Sequence, residues 1–226
     1  MRVGIIGAGN IGGNLTRAIT ARGHEVAVAN SRGPETLGDL AEETGAVPVS
    51  VTEAALDADL VIVTIPLRYV SDLPAGFLAA RRPGAAVIDT CNYYPWERDG
   101  RIADGLIAEI EAGKPESVWV SEQLGVPVFK VFNGIYWKHL LERGLPAGAE
   151  GRIALPIAGD DPADKKIVSD LIDELGFDPV DAGTLAESWR QQPDTPVYGT
   201  DLDAEGTKRA LAEASPERPD AFRAAA

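Results

Sequence analysis

Three glycines near the start of the chain have the spacing of a phosphate-binding turn. Gly7, Gly9 and Gly12 form a G-x-G-x-x-G pattern directly after the short apolar run of residues 2–6. In such a turn the first glycine permits a tight bend, the second lets the backbone approach a pyrophosphate, and the third brings a helix close to a sheet. The N–H groups at the start of that helix would then face the phosphates, and the helix dipole favours their negative charge.

The segments around this turn are those that a dinucleotide site requires. Residues 11–22 have the apolar spacing of a helix that stops at Gly23, and residues 25–29 predict a second strand. A glycine turn without a nucleotide is the alternative, but the order of strand, turn, helix and strand is the context in which this pattern binds one. The sequence therefore predicts a dinucleotide site.

The turn after the second strand indicates which dinucleotide binds. NAD-binding versions usually end this strand in an acid that accepts hydrogen bonds from the ribose 2′-OH, and that acid would repel a 2′-phosphate. Here the strand is followed by Asn30, Ser31 and Arg32, and the first acid is Glu35. Ser31 can donate a hydrogen bond to phosphate, and Arg32 offers a planar fork for its oxygens unless it is only a solvated turn residue. The pattern favours NADP(H) over NAD(H).

Composition and charge exclude several classes of protein. No stretch reaches the length of a membrane span, and the opening residues predict a strand rather than a signal peptide. The net charge of −14 argues against nucleic acid and anionic membranes as partners. The single cysteine, Cys91, excludes an internal disulfide, so we expect a protein of the reducing cytoplasm. No metal site is predicted.

Strands and helices alternate along most of the chain. Further strands are predicted at 47–49, 60–65, 86–89, 128–132, 151–158 and 178–181. Helices are predicted at 34–44, 67–82 with a break near Pro74, 102–112, 134–143, 161–175 and 203–215. This is typical of an α/β fold, here a Rossmann-like, doubly wound, mainly parallel sheet over residues 1–182. Residues 183–226 are predicted to form a short α/β C-terminal extension and tail.

Ligands of such sheets lie beyond the carboxyl ends of the strands, so the residues there are candidates for the site. Thr64 and Asn92, after the fourth and fifth predicted strands, could orient ribose or carboxamide groups, or could only cap the segments that follow. Pro66 could shape the wall against a nicotinamide, and Asn133 follows the sixth predicted strand. Neither of the two histidines is placed to activate Cys91 as a nucleophile.

The glycine turn, the turn at residues 30–32 and residues 63–66 and 131–133 together resemble the NADPH-dependent deazaflavin (coenzyme F-420) oxidoreductase family. The cytosolic domain of the six-transmembrane metalloreductases is similar too. The likeness runs from Met1 to about Ala182 and is firmest in the first half of the chain. It implies that Ser31 and Arg32 hold the 2′-phosphate and that the deazaflavin lies against the nicotinamide, taking the hydride without a protein acid. The remaining cofactor residues that it implies are Gly7, Gly9, Asn10 and Ile11 at the pyrophosphate and Thr64, Ile65, Pro66 and Asn92 at the nicotinamide.

Three segments depart from the pattern of that family. Residues 93–117 form an insertion, residues 134–139 replace the family's usual continuation after the sixth strand, and residues 185–192 and 196–201 replace its leucine-rich C-terminal helix. These differences do not affect the cofactor-binding half, but the identity of the second substrate does not follow from the resemblance.

Two aromatic and polar stretches compete for the substrate role. On the predicted helix 134–143, Lys138 and Glu142 have i,i+4 spacing and could pair in solvent, while Trp137, Leu140 and Leu141 would form its core stripe. Alternatively, Lys138 or Tyr136 could donate a proton to a carbonyl or imine beside the nicotinamide. Trp189 and Arg190 could cover a substrate or lie at a dimer interface.

The sequence therefore predicts an NADPH-dependent oxidoreductase that passes a hydride to a deazaflavin or flavin-like acceptor. Reduction of a small carbonyl or imine is the alternative reaction, and a non-enzymatic NADP(H)-binding sensor is the alternative of another class. The aromatic inserts favour an enzyme, because a sensor needs no closed pocket beside the nicotinamide. We expect a homodimer that acts on a small molecule, with coenzyme F-420 as a possible co-substrate.

Overall fold

A sheet of six parallel strands forms the centre of the fold in the computed structural model, which describes residues 1–95 and 104–218. The order across the sheet is β3-β2-β1-β4-β5-β6, so the direction of winding reverses between β1 and β4. The strands are β1 (Arg2–Ile6), β2 (Glu25–Ala29), β3 (Val47–Pro48), β4 (Leu60–Val63), β5 (Ala86–Asp89) and β6 (Phe129–Lys130). This confirms the predicted Rossmann-like, doubly wound fold.

Eight α-helices accompany the strands in the described part of the chain. They are α1 (Asn10–Thr20), α2 (Gly38–Thr44), α3 (Val51–Ala55), α4 (Ala108–Glu111), α5 (Glu116–Leu124), α6 (His139–Glu142), α7 (Pro162–Leu175) and α8 (Ala204–Glu213). Within the described ranges, no helix combines the length and the apolarity needed to cross a membrane.

The central strands are buried on both faces because their side chains alternate between two core clusters. Val3, Ile5 and Ile62 belong to the cluster that contains the apolar residues of α1 and α7. Ile6 and Val61 belong to the second cluster, with α3 and α5. A strand covered by helices on both sides can be apolar at every position, as β4 is.

A second pair of parallel strands extends the fold beyond β6. It consists of β7 (Ala154–Ile157) and β8 (Asp178–Asp181), which α7 connects. An antiparallel bridge between Lys130 and Ala158 joins this pair to the edge of the main sheet. Ala210 and Leu211 of α8 pack against β7 and β8, so the C-terminal extension shares a small core with them.

The predicted helix at 134–143 is wrong over most of its length, since only α6 is helical there. Phe132 has a positive φ of 61°, and the Gly134 carbonyl accepts a hydrogen bond of 2.9 Å from the Gly199 N–H. The backbone before α6 is therefore bound to the C-terminal extension rather than to its own next turn. Leu140 is buried, but Leu141 is 45% exposed, so the predicted core stripe does not form either.

Other predicted helices form as shorter or tighter elements. The helix predicted at 67–82 is two 3₁₀ helices, Leu67–Asp72 and Phe77–Ala80, on either side of the expected break at Pro74. The helix predicted at 34–44 begins as a 3₁₀ turn, Pro34–Leu37, before α2. Of the strand predicted at 151–158, only residues 154–157 form a strand, which is β7. Of the helix predicted at 102–112, residues 102–103 lie outside the described residues, as do Trp96 and Glu97 of the insertion and residues 219–226 of the tail.

A buried ion cluster ties the end of the described chain to the sheet. The side chain of Lys130, in β6, is fully buried and lies 3.4 Å from a carboxylate oxygen of Glu116, which is buried at the start of α5. The other carboxylate oxygen of Glu116 accepts a 2.8 Å hydrogen bond from Arg218, whose guanidinium stacks on the Tyr93 ring. Burial raises the pKa of the Glu116 carboxyl, and the charges of Lys130 and Arg218 oppose that rise.

We expect Glu116→Gln to lower the free energy of unfolding by about 3–5 kcal/mol, because the fully buried Lys130 and the partly buried Arg218 then lose their anion. Urea unfolding followed by circular dichroism measures this change. Asp170→Asn is the matched control, since its pair with Lys166 is exposed and should contribute about 0.5 kcal/mol or less. Equal effects of the two variants would contradict the structural role of the buried cluster.

Candidate active site

Two of the three glycines in the first turn are required by close backbone contacts. A Cβ atom on Gly12 would lie 1.9 Å from the carbonyl oxygen of Gly7. A Cβ atom on Gly7, whose φ is +109°, would lie 2.1 Å from the carbonyl oxygen of Thr64. These contacts bring β1, α1 and the end of β4 together, so a side chain at either position would separate them.

The space beside Gly9 is empty, whereas Gly7 and Gly12 are in close contact with backbone atoms. No atom lies within 4 Å of the position that a Cβ atom would take there, although Gly9 lines a cavity. Gly9 is also the N-cap of α1, where no side chain caps the helix and no acid stands in the first turn. The uncapped N–H groups and this empty space beside the backbone suit a pyrophosphate, as the sequence predicts.

The second turn presents Arg32 at the carboxyl end of β2. The Asn30 side chain accepts a 3.0 Å hydrogen bond from the Arg32 N–H and donates one of 2.8 Å to Thr36, which fixes the turn. Among the described residues, none pairs with the Arg32 guanidinium. Ser31 and Arg32 are both exposed, and Glu35 supplies the first carboxylate of the turn, as the sequence shows. The arrangement fits a phosphate group on the ribose.

A cavity of about 420 Å³ lies beyond the carboxyl ends of β1, β4 and β5. It begins at the glycine turn and ends at the C-terminal extension, and its volume is that of a small-molecule site. Its lining is formed by Gly9, Asn10, Ile11, Thr64, Ile65, Pro66, Thr90, Cys91, Asn92, Tyr94, Asp104, Asn133, Ile135, Tyr136, Trp137 and Tyr198. Eight of the predicted site residues are thus brought to one space, whereas Asn30, Ser31, Arg32, Gly7, Gly12 and Lys138 are not part of the lining.

Two amide side chains join the ends of β5 and β6. Asn92 Nδ2 donates to the Asn133 carbonyl at 2.9 Å, and Asn133 Nδ2 donates back to Asn92 Oδ1 at 3.1 Å. Asn133 also donates to the carbonyl of Gln191, in the 3₁₀ helix Leu185–Gln191, at 2.6 Å. Asn92 therefore bonds across the fold rather than capping the next segment.

Two tyrosines that the sequence analysis did not assign also face the cavity. The hydroxyl groups of Tyr94 and Tyr198 are hydrogen-bonded to each other, and Asn92 Nδ2 lies 3.4 Å from the Tyr198 hydroxyl oxygen. No local pattern marks Tyr198 for this position, because the backbone bond between Gly199 and Gly134 brings it there from a distant part of the sequence.

Asp104 connects the loops after β4 and β5. One carboxylate oxygen accepts a 3.2 Å hydrogen bond from the Arg68 N–H, and the other accepts one of 2.6 Å from the Tyr94 N–H. Burial raises the pKa of the Asp104 carboxyl, while these backbone donors lower it. Asp104 therefore holds both loops against the cavity.

Three residues considered for chemistry lie elsewhere or are unsuited to it. Lys138 is exposed, its ammonium lies 5.3 Å from the centre of the Trp137 ring, and among the described residues it forms no ion pair, Glu142 included. Its role as an acid stays a prediction. Arg190 stacks on Trp189 and donates to the Leu211 carbonyl, away from the cavity lining. Burial raises the pKa of the Cys91 thiol, which is unfavourable for a nucleophile.

We expect Gly9→Val and Gly12→Val to separate binding from folding. The Gly9 variant should keep a melting temperature near that of the wild type but lose NADPH binding, because its side chain fills the proposed place of the pyrophosphate. The Gly12 variant should be strongly destabilised by the overlap with Gly7. Fluorescence titration with NADPH and thermal unfolding measure the two effects. Full NADPH affinity in the Gly9 variant would mean that the phosphates lie elsewhere.

Comparison with known proteins agrees with this geometry. Residues 2–93 match the sequence model of a family described as NADP oxidoreductase, coenzyme F420-dependent. The Escherichia coli (strain K12) protein YjhV is 50% identical over 67 residues, which are 30% of this chain and 49% of that protein. The chain thus aligns with only about half the length of that relative.

Solved structures share the fold over most of the chain. The protein SMa0349 from Sinorhizobium meliloti is 29% identical with a TM-score of 0.70, covering 89% of this chain and 94% of that one. A proposed F420-dependent NADP reductase from Arthrobacter sp. FB24 is 20% identical with a TM-score of 0.66, covering 82% of this chain and 86% of that one. The resemblance inferred from the sequence is confirmed in the first part of the chain. Over residues 2–93 the chain is similar to the coenzyme F420-dependent NADP oxidoreductases that this family model describes.

Proposed function

We propose that the protein transfers a hydride from NADPH to a deazaflavin or flavin-like acceptor that lies in the cavity. The observation that carries this proposal is the continuous cavity from the glycine turn to the aromatic residues of the C-terminal half. Ile65 and Pro66 contribute apolar groups to its lining, and Tyr136 and Trp137 contribute aromatic rings. Apolar and aromatic walls suit the stacking of two flat rings, which direct hydride transfer requires.

The residues of this chain would bind and orient the two rings. The N–H groups at the start of α1 would hold the pyrophosphate, and Ser31 with Arg32 would hold the 2′-phosphate. Bound NADPH supplies the hydride and its electron pair. Asn92 and Asp104 keep the loops after β4 and β5 in place, Thr64 lines the cavity beside them, and the apolar side chains would exclude water from the reacting faces.

A second candidate is the reduction of a small carbonyl or imine compound. The hydrogen-bonded hydroxyl groups of Tyr94 and Tyr198 favour it, because they place exchangeable protons in the cavity. Such a substrate needs a proton on the atom next to the carbon that receives the hydride, and a positioned acid typically contributes about 10²–10⁴-fold there. Both candidates use the same cofactor and the same cavity.

Stopped-flow oxidation of NADPH separates the candidates. The wild-type protein is mixed with NADPH and, in turn, coenzyme F420, FMN, cyclohexanone or 1-pyrroline. We expect the fastest loss of NADPH absorbance with F420. Faster turnover of the ketone or the imine would establish the second candidate instead, and no turnover with any of the four would contradict the proposed hydride transfer.

Cofactor choice is tested at Arg32. We expect Arg32→Ala to weaken NADPH binding by about 1.5–3 kcal/mol, the contribution of a hydrogen bond to a charged group, and to leave NADH binding nearly unchanged. Isothermal titration with both nucleotides measures this. Arg82→Ala is the control, because Arg82 is exposed, lies just before β5 at the other end of the strands, and pairs with Asp59. Equal losses for NADPH and NADH would contradict the assignment of Arg32 to the 2′-phosphate.

A further inference from the structure

Two tyrosine hydroxyl groups meet in the cavity from distant parts of the chain. Tyr94 follows β5, and Tyr198 belongs to the C-terminal extension. Both side chains line the cavity, and their hydroxyl groups share a hydrogen bond. Direct hydride transfer assigns no chemical task to either group.

The pattern of donors around Tyr198 shows which proton is available. The Asn92 amide N–H can only donate, so at 3.4 Å the Tyr198 oxygen is its acceptor. A phenol has one proton and two lone pairs. When Tyr94 donates as well, the Tyr198 oxygen accepts two hydrogen bonds, and its own proton is left for a partner in the cavity.

Other candidates for this task are less suitable. Both carboxylate oxygens of Asp104 already accept backbone N–H groups. Lys138 lies outside the cavity lining. The Tyr136 side chain is 48% exposed, so water competes for its hydroxyl group.

We propose that Tyr198 donates a hydrogen bond, and then its proton, to the carbonyl oxygen or imine-type nitrogen of the hydride acceptor, with Tyr94 and Asn92 as positioning residues. This inference rests on the hydride transfer proposed above. The acceptor carbon gains a C–H bond from the hydride, and NADPH is oxidised to NADP⁺. The electron pair of the C=O or C=N bond moves to the heteroatom, which takes the Tyr198 proton, and the Tyr198 oxygen regains a proton from water.

With Tyr94 as the donor of the tyrosine pair, Tyr198 accepts two hydrogen bonds, and these favour the loss of its own proton. As the proton leaves, negative charge grows on the phenol oxygen, which the N–H of Asn92 and, in this arrangement, the O–H of Tyr94 both contact. Donors placed in advance stabilise such charge without rearrangement. The acceptor therefore carries an oxygen or nitrogen that gains electrons when the hydride arrives. In a small ketone or imine this atom is bonded directly to the carbon that takes the hydride. In a deazaflavin it is a ring carbonyl oxygen or imine-type nitrogen conjugated with that carbon, so the electron pair reaches it through the ring.

Tyr198→Phe and Tyr94→Phe test the proposal, with Tyr69→Phe as the control. Tyr69 is exposed and its hydroxyl accepts from Arg68 outside the cavity lining. The first readout is turnover of NADPH with F420, cyclohexanone and 1-pyrroline across pH. The second needs no turnover: it is the dissociation constant of oxidised F420 in the presence of NADP⁺, measured by fluorescence. Thermal unfolding confirms that each variant is folded.

We expect the Tyr198 variant to bind NADPH normally. With a ketone or imine it should lose at least about 100-fold in turnover and the basic limb of its pH profile. If F420 is the acceptor, charge is spread over the ring, and both turnover and F420 affinity should fall about tenfold, the effect of one hydrogen bond. The Tyr94 variant should show a smaller loss, because Tyr94 acts through Tyr198.

Three other outcomes would overturn the proposal, and each can be told from the others. A Tyr198 variant within twofold of the control in every readout would remove Tyr198 from the reaction and leave the hydride transfer standing. A larger loss in the Tyr94 variant than in the Tyr198 variant would make Tyr94 the donor. A wild-type protein that neither binds F420 nor oxidises NADPH with any acceptor would overturn the proposed function and this inference with it.

Discussion

The approach of three backbone segments at the first glycine turn is the constraint on which the rest of the structure depends. The turn at Gly7 and Gly12 leaves no room for a side chain between β1, α1 and the end of β4. Because these elements meet there, α1 starts at the point where the sheet reverses its direction of winding. The cavity opens at that point because the connections that leave β1 and β4 go to opposite faces of the sheet. A bulkier residue would thus displace the cofactor site and the cavity together.

The far side of the cavity depends on hydrogen bonds rather than on apolar packing alone. Asn92, Asn133 and Gln191 bond to one another and connect two strand ends with the C-terminal extension. Buried amides of this kind are costly when unpaired, so the network favours one arrangement of the segments. The tyrosine pair is held in the same way, since Asn92 reaches the Tyr198 hydroxyl. This side of the cavity is therefore specified by polar contacts, whereas the sheet is specified by burial.

The parts of the fold that depend on neighbouring residues could be predicted from the sequence. The bounds of β2, β5 and β8 follow from short apolar or alternating runs. Eight of the residues predicted for the site line one cavity, because parallel strands end on the same side, and their binding of a cofactor stays a prediction. The helix predicted at 134–143 does not form over most of its length, because the Gly134 carbonyl accepts a hydrogen bond from the Gly199 N–H. No residue near Gly134 in the sequence indicates this bond. Tyr198 was missed for the same reason, and Asp104 was missed because it bonds to Arg68, which lies 36 positions away in the sequence.

The origin of the cavity from distant segments has a consequence for how the protein matures during synthesis. The glycine turn, the turn at residues 30–32 and the first four strands all lie within the first 63 residues, so their contacts can form early. The bond between Tyr94 and Tyr198 joins residues 104 positions apart, and that between Asn92 and Tyr198 joins residues 106 apart. Contacts of such separation form late, because a long loop must close first. A nascent chain would therefore form the glycine turn and the sheet around it well before it closes the cavity with Tyr198.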